Sequence, residues 1–493
     1  MSPNSLAPAS LEESATLSAP ACLLPPLVVD LDGTLVKSDL LLESLFSLLR
    51  QAPLSLFALP FWLLKGRAHL KREIAGRVRL NVTLLPYRAD LLEHLRAEHE
   101  NGRSIVLATA SDEQLARQVS DHLRLFDSVL ASDGITNLSG KCKRERLVRQ
   151  FGEKGFDYAA NERRDLAVWS SARKAILVNP SQPLARAVAR TTQVESVFED
   201  GRASLGEALT ALRPEQWVKN LLVFVPVFAA HRFFEPALLG KTLLAFMAFC
   251  CCASGGYLFN DLFDLPADRH HPKKRQRPFA AGRLTLFYGV AMVPALALLG
   301  CVLAILVSPL LAGIVLLYLG LTLTYSLCIK KMALLDVLVL ASLYTIRIIG
   351  GAEAVAIQPS EWLLAFSMFL FISLAFVKRY GELVIMRSVD GDHATARSYE
   401  ISDAELLASK GAASGYIAVL VLALYISSGA VKAHYGRHEL MWLLCPLLLY
   451  WIGYIWLVAH RGRMHDDPFV FALRDRTSRI LILAMLGTAV LSI

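Results

Sequence analysis

The stretch NDLFDLPADRHHPKKRQRP, residues 260 to 278, follows a long apolar segment and places carboxylates beside cations. Its oxygen-bearing side chains recur at helical spacing: Asn260, Asp264 and Asp268 are four residues apart, and Asp261 lies one step away. A continued helix would stack them along one side. Like charges this close repel unless a cation lies among them, and Mg²⁺ commonly binds one or two carboxylates together with substrate phosphates. The pattern therefore predicts a magnesium site made by these four residues, with Asp264 and Asp268 as catalytic residues.

Basic residues follow the acidic ones at once. Lys274 and Arg277 would bind phosphate oxygens that the metal leaves uncovered, so the whole stretch is typical of a diphosphate site. A different interpretation is a solvated loop that caps a helix and whose cations only mark the cytoplasmic side of a membrane. Such a loop does not need four metal-type ligands within nine positions, and we favour the diphosphate site.

Apolar residues are distributed unevenly along the 493-residue chain. It is 54% hydrophobic with a mean hydropathy of +0.44, which argues against a soluble protein. We predict a disordered tail over 1–24, a soluble domain over 25–200, a linker over 201–215 and an all-α, multi-pass membrane domain over 216–493. Nine apolar runs are candidate membrane helices: roughly 216–231, 237–258, 284–307, 309–328, 332–355, 361–377, 412–433, 439–460 and 477–493.

Lys and Arg are concentrated in alternate loops of the membrane domain. The loops 259–283, 329–331, 378–411 and 461–476 carry most of them, whereas the intervening loops contribute little beyond Arg232 and Arg437. This bias predicts a bacterial-type inner-membrane protein with a cytoplasmic N-terminal domain and a periplasmic or extracellular C-terminus. The formal charge of +8 reflects this topology and favours anionic lipid or phosphate partners, with no need for nucleic acid. Nothing in the sequence indicates the oligomeric state.

The N-terminal region contains apolar runs that end in polar residues. LLPPLVVDLDGTL ends in Asp30 and Asp32, the pattern of a buried parallel strand that delivers carboxylates to a tight loop. SIVLATAS contains Thr109, GKCKRERL contains Lys143, and FDYAANERRDLAVW contains Asp165. Strands and helices alternate, so we predict a doubly wound α/β layer with its site at the strand ends. Residues 53 to 75 are predicted to form a small helical cap whose apolar half is too short to span a membrane.

This order of motifs resembles the haloacid-dehalogenase phosphohydrolases over about residues 25 to 200. The resemblance implies that Asp30 attacks a phosphate, that Asp32 is the acid and base, and that Asp30, Asp32 and Asp165 belong to a magnesium site. It also implies that Thr109 and Lys143 bind the phosphate. Asn161 stands where that family usually has a carboxylate, which removes one negative charge from the site. Two interpretations stay open: an active phosphatase, or a degenerate domain that binds a phosphate or only supports the membrane part.

The membrane domain resembles the UbiA superfamily of intramembrane prenyltransferases over about residues 211 to 493. The acidic motif carries this resemblance, and RPEQWVKN, YTIRIIGGA and VKRYGEL look like its decaprenyl-phosphate phosphoribosyltransferase branch. Aromatic prenyltransferases of the superfamily have a second aspartate-rich motif, whereas the corresponding loop here is mostly cationic and suits a phosphate monoester. A charge such as Arg347 within an apolar helix is costly and usually paired or functional. The candidate phosphate-binding residues are Lys219, Asn220, Arg347, Lys378, Arg379, Arg397 and Tyr399.

These resemblances imply a magnesium-dependent enzyme that joins phosphoribosyl diphosphate to a polyprenyl phosphate and releases diphosphate. The phosphohydrolase-like domain could then remove the 5-phosphate of the product. One alternative is transfer of a polyprenyl group from a prenyl diphosphate to an aromatic or quinone acceptor. A second is a non-catalytic membrane protein that binds lipid phosphates.

Overall fold

A computed structural model describes residues 24–201, 204–388, 399–429, 436–464 and 467–492. Of the predicted tail over 1–24, only Leu24 is among the described residues, and the predicted phosphate ligand Arg397 lies outside them. The chain divides into an N-terminal unit, Met1–Arg202, and a membrane unit, Ala203–Ile493. Part of the predicted linker is helical, because Leu205–Leu212 forms a helix whose Ser204 and Glu207 make a reciprocal N-terminal cap.

A six-stranded sheet forms the centre of the N-terminal unit. Its order is β3-β2-β1-β4-β5-β6, and every neighbouring pair is parallel. The strands are β1 Leu27–Val29, β2 Ile105–Asp112, β3 Ser128–Ser132, β4 Asp157–Ala160, β5 Lys174–Val178 and β6 Gln193–Phe198.

Helices cover both faces of this sheet. Alternate strand residues point to opposite sides, so each face packs its own apolar side chains against helices. The helices of the N-terminal unit are α1 Leu40–Gln51, α2 Leu59–Leu64, α3 Arg67–Ala75, α4 Ala89–Glu100, α5 Glu113–Leu123, α6 Lys141–Phe151, α7 Leu166–Trp169 and α8 Gln182–Ala189. Val29 and Leu107 lie in one apolar core with residues of α4 and α5, whereas Val28 and Val106 lie in a second core with residues of α6, α7 and α8. This arrangement agrees with the predicted doubly wound α/β layer.

The predicted helical cap lies between β1 and β2 in the chain. It consists of a 3₁₀ helix, Pro53–Ala58, followed by α2 and α3. Leu59 and Trp62 pack on a small cluster of their own that contains Leu48, Ile74 and Val78. The cap thus has an apolar base separate from the two cores of the sheet.

The described residues of the membrane unit form helices joined by turns, with no strand among them. Its α-helices are α9 Leu205–Leu212, α10 Val225–Ala229, α11 Pro236–Phe263, α12 Leu265–His270, α13 Leu286–Ile305, α14 Pro309–Leu327, α15 Leu335–Ala354, α16 Glu361–Ser388, α17 Ala404–Ser427, α18 Leu444–His460, α19 Pro468–Arg474 and α20 Arg476–Ser492. Short 3₁₀ helices, Pro214–Phe224, Lys274–Gln276, Ile329–Lys331, Ile401–Asp403 and His438–Leu443, connect or extend them.

Seven helices in the described part of the chain are long and apolar enough to cross a membrane. They are Pro236–Phe263, Leu286–Ile305, Pro309–Leu327, Leu335–Ala354, Glu361–Arg387, Ile401–Ser427 and His438–His460. The other two predicted spans correspond to a 3₁₀ helix with the short α10, and to the 17-residue α20. Nine spans therefore stay a prediction, and the structure supports an integral membrane protein with seven candidate spans.

The segment Pro214–Phe224 packs closely on α15. A side chain on Gly351 would place its Cβ 2.0 Å from the carbonyl oxygen of Val223, so glycine is required for this approach. This contact lies near Asn220 and Arg347, two of the candidate site residues.

Candidate functional site

Neighbouring strands bring candidate residues together in the N-terminal unit. β1 ends at Val29, so Asp30 leaves the sheet at its carboxyl edge, and Asp165 follows the adjacent β4. α6 carries Lys143, whose Nζ lies 2.7 Å from Asp30 Oδ1 and 3.8 Å from Asp165 Oδ1. All three side chains are buried. A lysine between two carboxylates is a suitable charge pattern for binding a phosphate and a divalent cation.

Asp32 lies beside this group and accepts hydrogen bonds from two hydroxyls of β2. Ser111 Oγ donates to Asp32 Oδ2 over 2.6 Å, and Thr109 Oγ1 donates to the same oxygen over 3.4 Å. Burial, aided by the charge of Asp39, raises the pKa of Asp32 to about 7. A carboxyl that keeps its proton near neutral pH can donate it to a leaving oxygen.

Tyr158 joins this group, although the sequence did not single it out. Its hydroxyl donates to Asp165 Oδ1 over 2.9 Å and accepts from Lys143 Nζ over 3.1 Å. Burial, together with the charge of Asp30, raises the pKa of Asp165 to about 6. Tyr158 occupies a strand position with a fully buried ring, so in the sequence it was indistinguishable from a core residue.

Asn161, the departure from the phosphohydrolase pattern, lies against the loop after β1. Its Oδ1 accepts from Thr34 Oγ1 over 3.1 Å. Gly33 has a φ of +72°, and a Cβ there would lie 2.3 Å from Asn161 Nδ2. The Asn161 amide thus packs against Gly33, a position that only glycine fits.

The acidic motif of the membrane unit retains helical spacing across a break. α11 ends at Phe263 and α12 begins at Leu265, with Pro266 near its start. The Asp264 amide still donates to the Asn260 carbonyl and the Asp268 amide to the Asp264 carbonyl, both over 2.9 Å. The expected repeat of four residues is therefore kept although the helix is not continuous.

Cations neutralise each carboxylate of this motif. Asp261 pairs with Arg213 and, over 3.2 Å, with Arg277, which also lies 2.6 Å from Asp268. Asp264 Oδ1 lies 2.7 Å from the Nζ of Lys330, a residue that the sequence did not mark as part of the site. The predicted ligand Arg277 thus bridges two carboxylates, whereas Lys274 is exposed at the start of the 3₁₀ helix Lys274–Gln276.

Whether the acidic motif and the residues around Asp30 suit a metal ion depends on their donor atoms. Among the described residues, no group of three or more His, Cys, Asp or Glu side chains lies close enough together to hold a metal ion. Asn260 Oδ1 is nevertheless buried without a hydrogen-bond partner, in the same motif as Asp261, Asp264 and Asp268. Carboxylate and amide oxygens are ligands that suit Mg²⁺, in this motif and around Asp30 alike. Both donor sets therefore fit magnesium in chemistry.

Two predicted lysines share one carboxylate in the membrane unit. Lys219 Nζ lies 2.8 Å and Lys378 Nζ 3.1 Å from Asp467 Oδ2. Burial alone would raise the pKa of Asp467, but Lys219 and Lys378 hold it well below its usual range. The sequence analysis did not single out Asp467. In the structure it caps the helix that begins at Pro468 and lies between lysines that are distant in the chain.

Arg347 is buried in α15 and donates only to neutral groups. Nε donates to Asn220 Oδ1 and Nη2 to the Tyr318 hydroxyl, over 2.7 Å and 2.8 Å, and Nη1 donates to the Leu343 carbonyl. Within the described residues, no carboxylate lies within ion-pair distance of Arg347. A buried guanidinium without a counter-ion is suited to bind an anion.

Arg379 and Tyr399 belong to a different cluster, around Asp336. Arg379 Nε lies 2.5 Å from Asp336 Oδ2, and its Nη atoms donate to Glu382 and Tyr325. The Tyr399 hydroxyl donates to Asp336 Oδ1 over 2.7 Å. These contacts do not bring either residue to Asp467, so their phosphate-binding role stays a prediction without structural support.

Comparison with known proteins identifies relatives of the chain. A model of the UbiA prenyltransferase family matches residues 221–475. An uncharacterized protein of Sinorhizobium fredii is 36% identical over 457 residues, which are 92% of this chain and 88% of that protein. A nodulation protein of Azorhizobium caulinodans is 39% identical over 275 residues, 56% of this chain and 89% of that protein. Decaprenyl-phosphate phosphoribosyltransferase of Mycobacterium tuberculosis is 33% identical over 285 residues, 56% of this chain and 91% of that enzyme.

Proposed function

Because the chain belongs to the UbiA prenyltransferase family, we propose that its membrane unit transfers phosphoribose from phosphoribosyl diphosphate to a polyprenyl phosphate. The one observation that carries this proposal is the buried guanidinium of Arg347, which has no carboxylate partner among the described residues. Lys219 and Lys378 add two more cations around a single carboxylate, Asp467. A phosphate monoester suits such a region, because its charge requires cations and not a second metal. The similarity to decaprenyl-phosphate phosphoribosyltransferase supports the same donor.

The acidic motif would hold the donor. Asn260, Asp261, Asp264 and Asp268 would bind Mg²⁺, which when bound offsets the negative charge of the diphosphate. Arg277 and Lys330 now pair with these carboxylates and would turn to the phosphate oxygens of the donor. Cations placed where charge develops lower the barrier for departure of the diphosphate.

The proposed transfer of phosphoribose needs no further reactant. The bond from the anomeric carbon of the ribose to the diphosphate oxygen breaks, and its electron pair leaves with the diphosphate. An oxygen of the lipid phosphate forms the new bond to that carbon. The lipid phosphate is oriented by Arg347, Lys219 and Lys378. The two lysines leave Asp467 and bind the phosphate instead.

The N-terminal unit would act next, on the product. Asp30 attacks the phosphorus of the 5-phosphate, Lys143 and Thr109 hold the phosphate oxygens, and Asp32 protonates the leaving oxygen. Water then releases phosphate from Asp30. The support for this proposal is the short contact of Lys143 with Asp30 and the raised pKa of Asp32.

The finer topology belongs to the same proposal. We place the protein in a bacterial inner membrane with the N-terminal unit in the cytoplasm. Loops rich in Lys and Arg favour the cytoplasmic side, and they alternate along the membrane domain in the order that this placement requires. Phosphoribosyl diphosphate, a soluble and highly charged donor, would then reach the acidic motif from the cytoplasm.

A direct competition of donors tests the transferase. Membranes that contain the protein are incubated with labelled phosphoribosyl diphosphate and polyprenyl phosphate, and in parallel with a labelled prenyl diphosphate and an aromatic acid. We expect label in lipid only in the first reaction, and only with Mg²⁺. Label transferred to the aromatic acid would instead establish prenyl transfer, and label in neither product would favour a protein that only binds lipid phosphates.

A further inference from the structure

The cap of the N-terminal unit exposes a row of large apolar side chains. Leu54, Phe57, Phe61 and Leu64 are 80%, 78%, 67% and 85% exposed. Their spacing of three or four residues puts them on one face of the continuous helical segment Pro53–Leu64. Exposed apolar patches of this kind mark surfaces that bind a protein or a membrane.

This face is held outward by the packing beneath it. Leu59 and Trp62, on the opposite face of the segment, pack on Leu48, Ile74 and Val78. The Arg77 guanidinium lies over the Trp62 ring, 4.7 Å from its centroid. Because the inner face is already occupied, the outer face cannot turn inward without losing these contacts.

Charge selects the partner of this face. From Ala52 to Arg72 the chain has no Asp or Glu, and it has four cations, Lys65, Arg67, Lys71 and Arg72. Lys65 and Arg67 follow the apolar row directly and are exposed. A second copy of this surface would bring like charges together, whereas a bilayer with anionic lipids offers both an apolar layer and opposite charge.

We propose that Pro53–Leu64 docks into the surface of an anionic lipid bilayer, with Leu54, Phe57, Phe61 and Leu64 among the acyl chains and Lys65 and Arg67 at the headgroups. The same chain carries seven helices long and apolar enough to cross a membrane, which would tether the cap to a bilayer. The segment is too short to span and lies in the plane of the interface.

Docking has a consequence for substrate delivery, which rests on the proposed function. The next helix, α3, carries Lys71, whose Nζ donates to the Ala110 carbonyl over 2.7 Å, beside the β2 hydroxyls that hold Asp32. The docked segment and the candidate phosphatase site are thus joined by one short helix. Docking would then hold the candidate phosphatase site of the same unit at the membrane that contains its proposed lipid substrate.

Photocrosslinking in the full-length protein tests the docking without any enzyme assay. Phe57 or Phe61 is replaced by p-benzoylphenylalanine, an aromatic residue that keeps the apolar face, and the protein is reconstituted in vesicles of phosphatidylcholine and phosphatidylglycerol. Val197, which is 48% exposed on the edge strand β6, gives the matched control. We expect at least about tenfold more phospholipid adduct at Phe57 and Phe61 than at Val197, as an inserted face requires.

Equal lipid adduct at all three positions, or crosslinks between two copies at Phe57 or Phe61, would overturn the proposal. Lys65→Glu with Arg67→Glu should reduce the adduct at Phe61 by about fivefold or more, since each cation adds to binding of an anionic surface. An unchanged yield would overturn the assignment to anionic lipid. Adducts at Phe61 in a protein that hydrolyses no phosphate ester would leave the docking established and refute the proposed function of the N-terminal unit.

Discussion

The guanidinium of Arg347 donates from Nε to the amide oxygen of Asn220 over 2.7 Å, inside the membrane unit. An amide fixes the orientation of the guanidinium but does not neutralise its charge. Asn220 is itself held by a contact of its Nδ2 with Cys250 Sγ over 3.2 Å. The pair therefore keeps a positive charge oriented without neutralising it, within a helix apolar enough to cross a membrane, where an unused charge would be costly.

Replacing Arg347 should affect the lipid substrate more than the fold. We expect Arg347→Gln to raise the KM for polyprenyl phosphate about 10- to 100-fold, because a charge-assisted hydrogen bond contributes roughly 1.5–3 kcal/mol. Initial rates against lipid concentration measure this, with the thermal midpoint as a second readout. Arg379→Gln is the matched control, since it leaves the buried Asp336 without its guanidinium and should lower the thermal midpoint strongly. Loss of stability in both variants with an unchanged KM would refute the anion-binding role.

Removing the Asp467 carboxylate, which Lys219 and Lys378 share, should strengthen the binding of polyprenyl phosphate. Asp467→Asn leaves Lys219 and Lys378 without their common counter-ion, so the ligand-free protein should be less stable and should gain more from an anion. The measurement is the rise in thermal midpoint on adding polyprenyl phosphate, compared with wild type. Asp475→Asn, at a carboxylate that accepts from Tyr454, is the control and should leave this rise unchanged. A smaller rise for Asp467→Asn would mean that the carboxylate helps to bind the ligand.

Substitutions in the acidic motif should cause a larger loss of transferase activity. Asp264→Ala or Asp268→Ala should abolish transfer and leave membrane insertion intact, because each removes a metal-type oxygen and no apolar surface. Turnover in purified membranes at saturating Mg²⁺ is the assay. A residual rate above about a tenth of wild type would exclude the metal-site assignment, since loss of such charge stabilisation costs a few kcal/mol.

The phosphatase proposal can be isolated in the full-length chain by using Asp264→Ala as the background. In that background we expect slow hydrolysis of small phosphate monoesters, and Asp30→Asn should remove it. Asn161→Asp should tighten Mg²⁺ binding, because a carboxylate replaces an amide while keeping the oxygen that accepts from Thr34. Hydrolysis that survives Asp30→Asn would identify a contaminating enzyme and refute the nucleophile assignment.

Membrane crossings are testable at the short segment before α11. If Pro214–Ala229 crosses the membrane, a reporter inserted between Phe233 and Phe234 should be periplasmic, and one inserted at Gly462 should be cytoplasmic. A reporter after Ile493 should also be periplasmic. A cytoplasmic signal at Phe233 would mean that this segment only dips into the membrane and that the acidic motif faces the other side.

Sequence reasoning predicted the parts of the site that depend on local order. The proximity of Asp30 and Asp165 follows from parallel strands, whose carboxyl ends share one edge of the sheet. Lys143 lies on α6, and only the resemblance to the phosphohydrolases assigned it to this site. The four-residue repeat of the acidic motif follows from helical periodicity. Neither rule needs knowledge of distant contacts.

Contacts between distant positions were not predictable in this way. Lys219 lies 248 residues from Asp467, and no periodic pattern links them. The same holds for Lys330 with Asp264. Hydropathy alone also predicted one helix over 216–231, but Lys219 and Asn220 turn inward to polar partners, and the structure there is a 3₁₀ helix followed by the short α10.

The close approach of Gly351 to Val223 can form only after α15 has been synthesised. The segment that carries Asn220 emerges from the ribosome long before its partner helix, since Arg347 comes 127 residues later. Until α15 has been made, Asn220 lacks its arginine, and Lys219 lacks Asp467 for longer still. The cationic region formed by Arg347, Lys219 and Lys378 is therefore complete only when the second half of the membrane unit has been made.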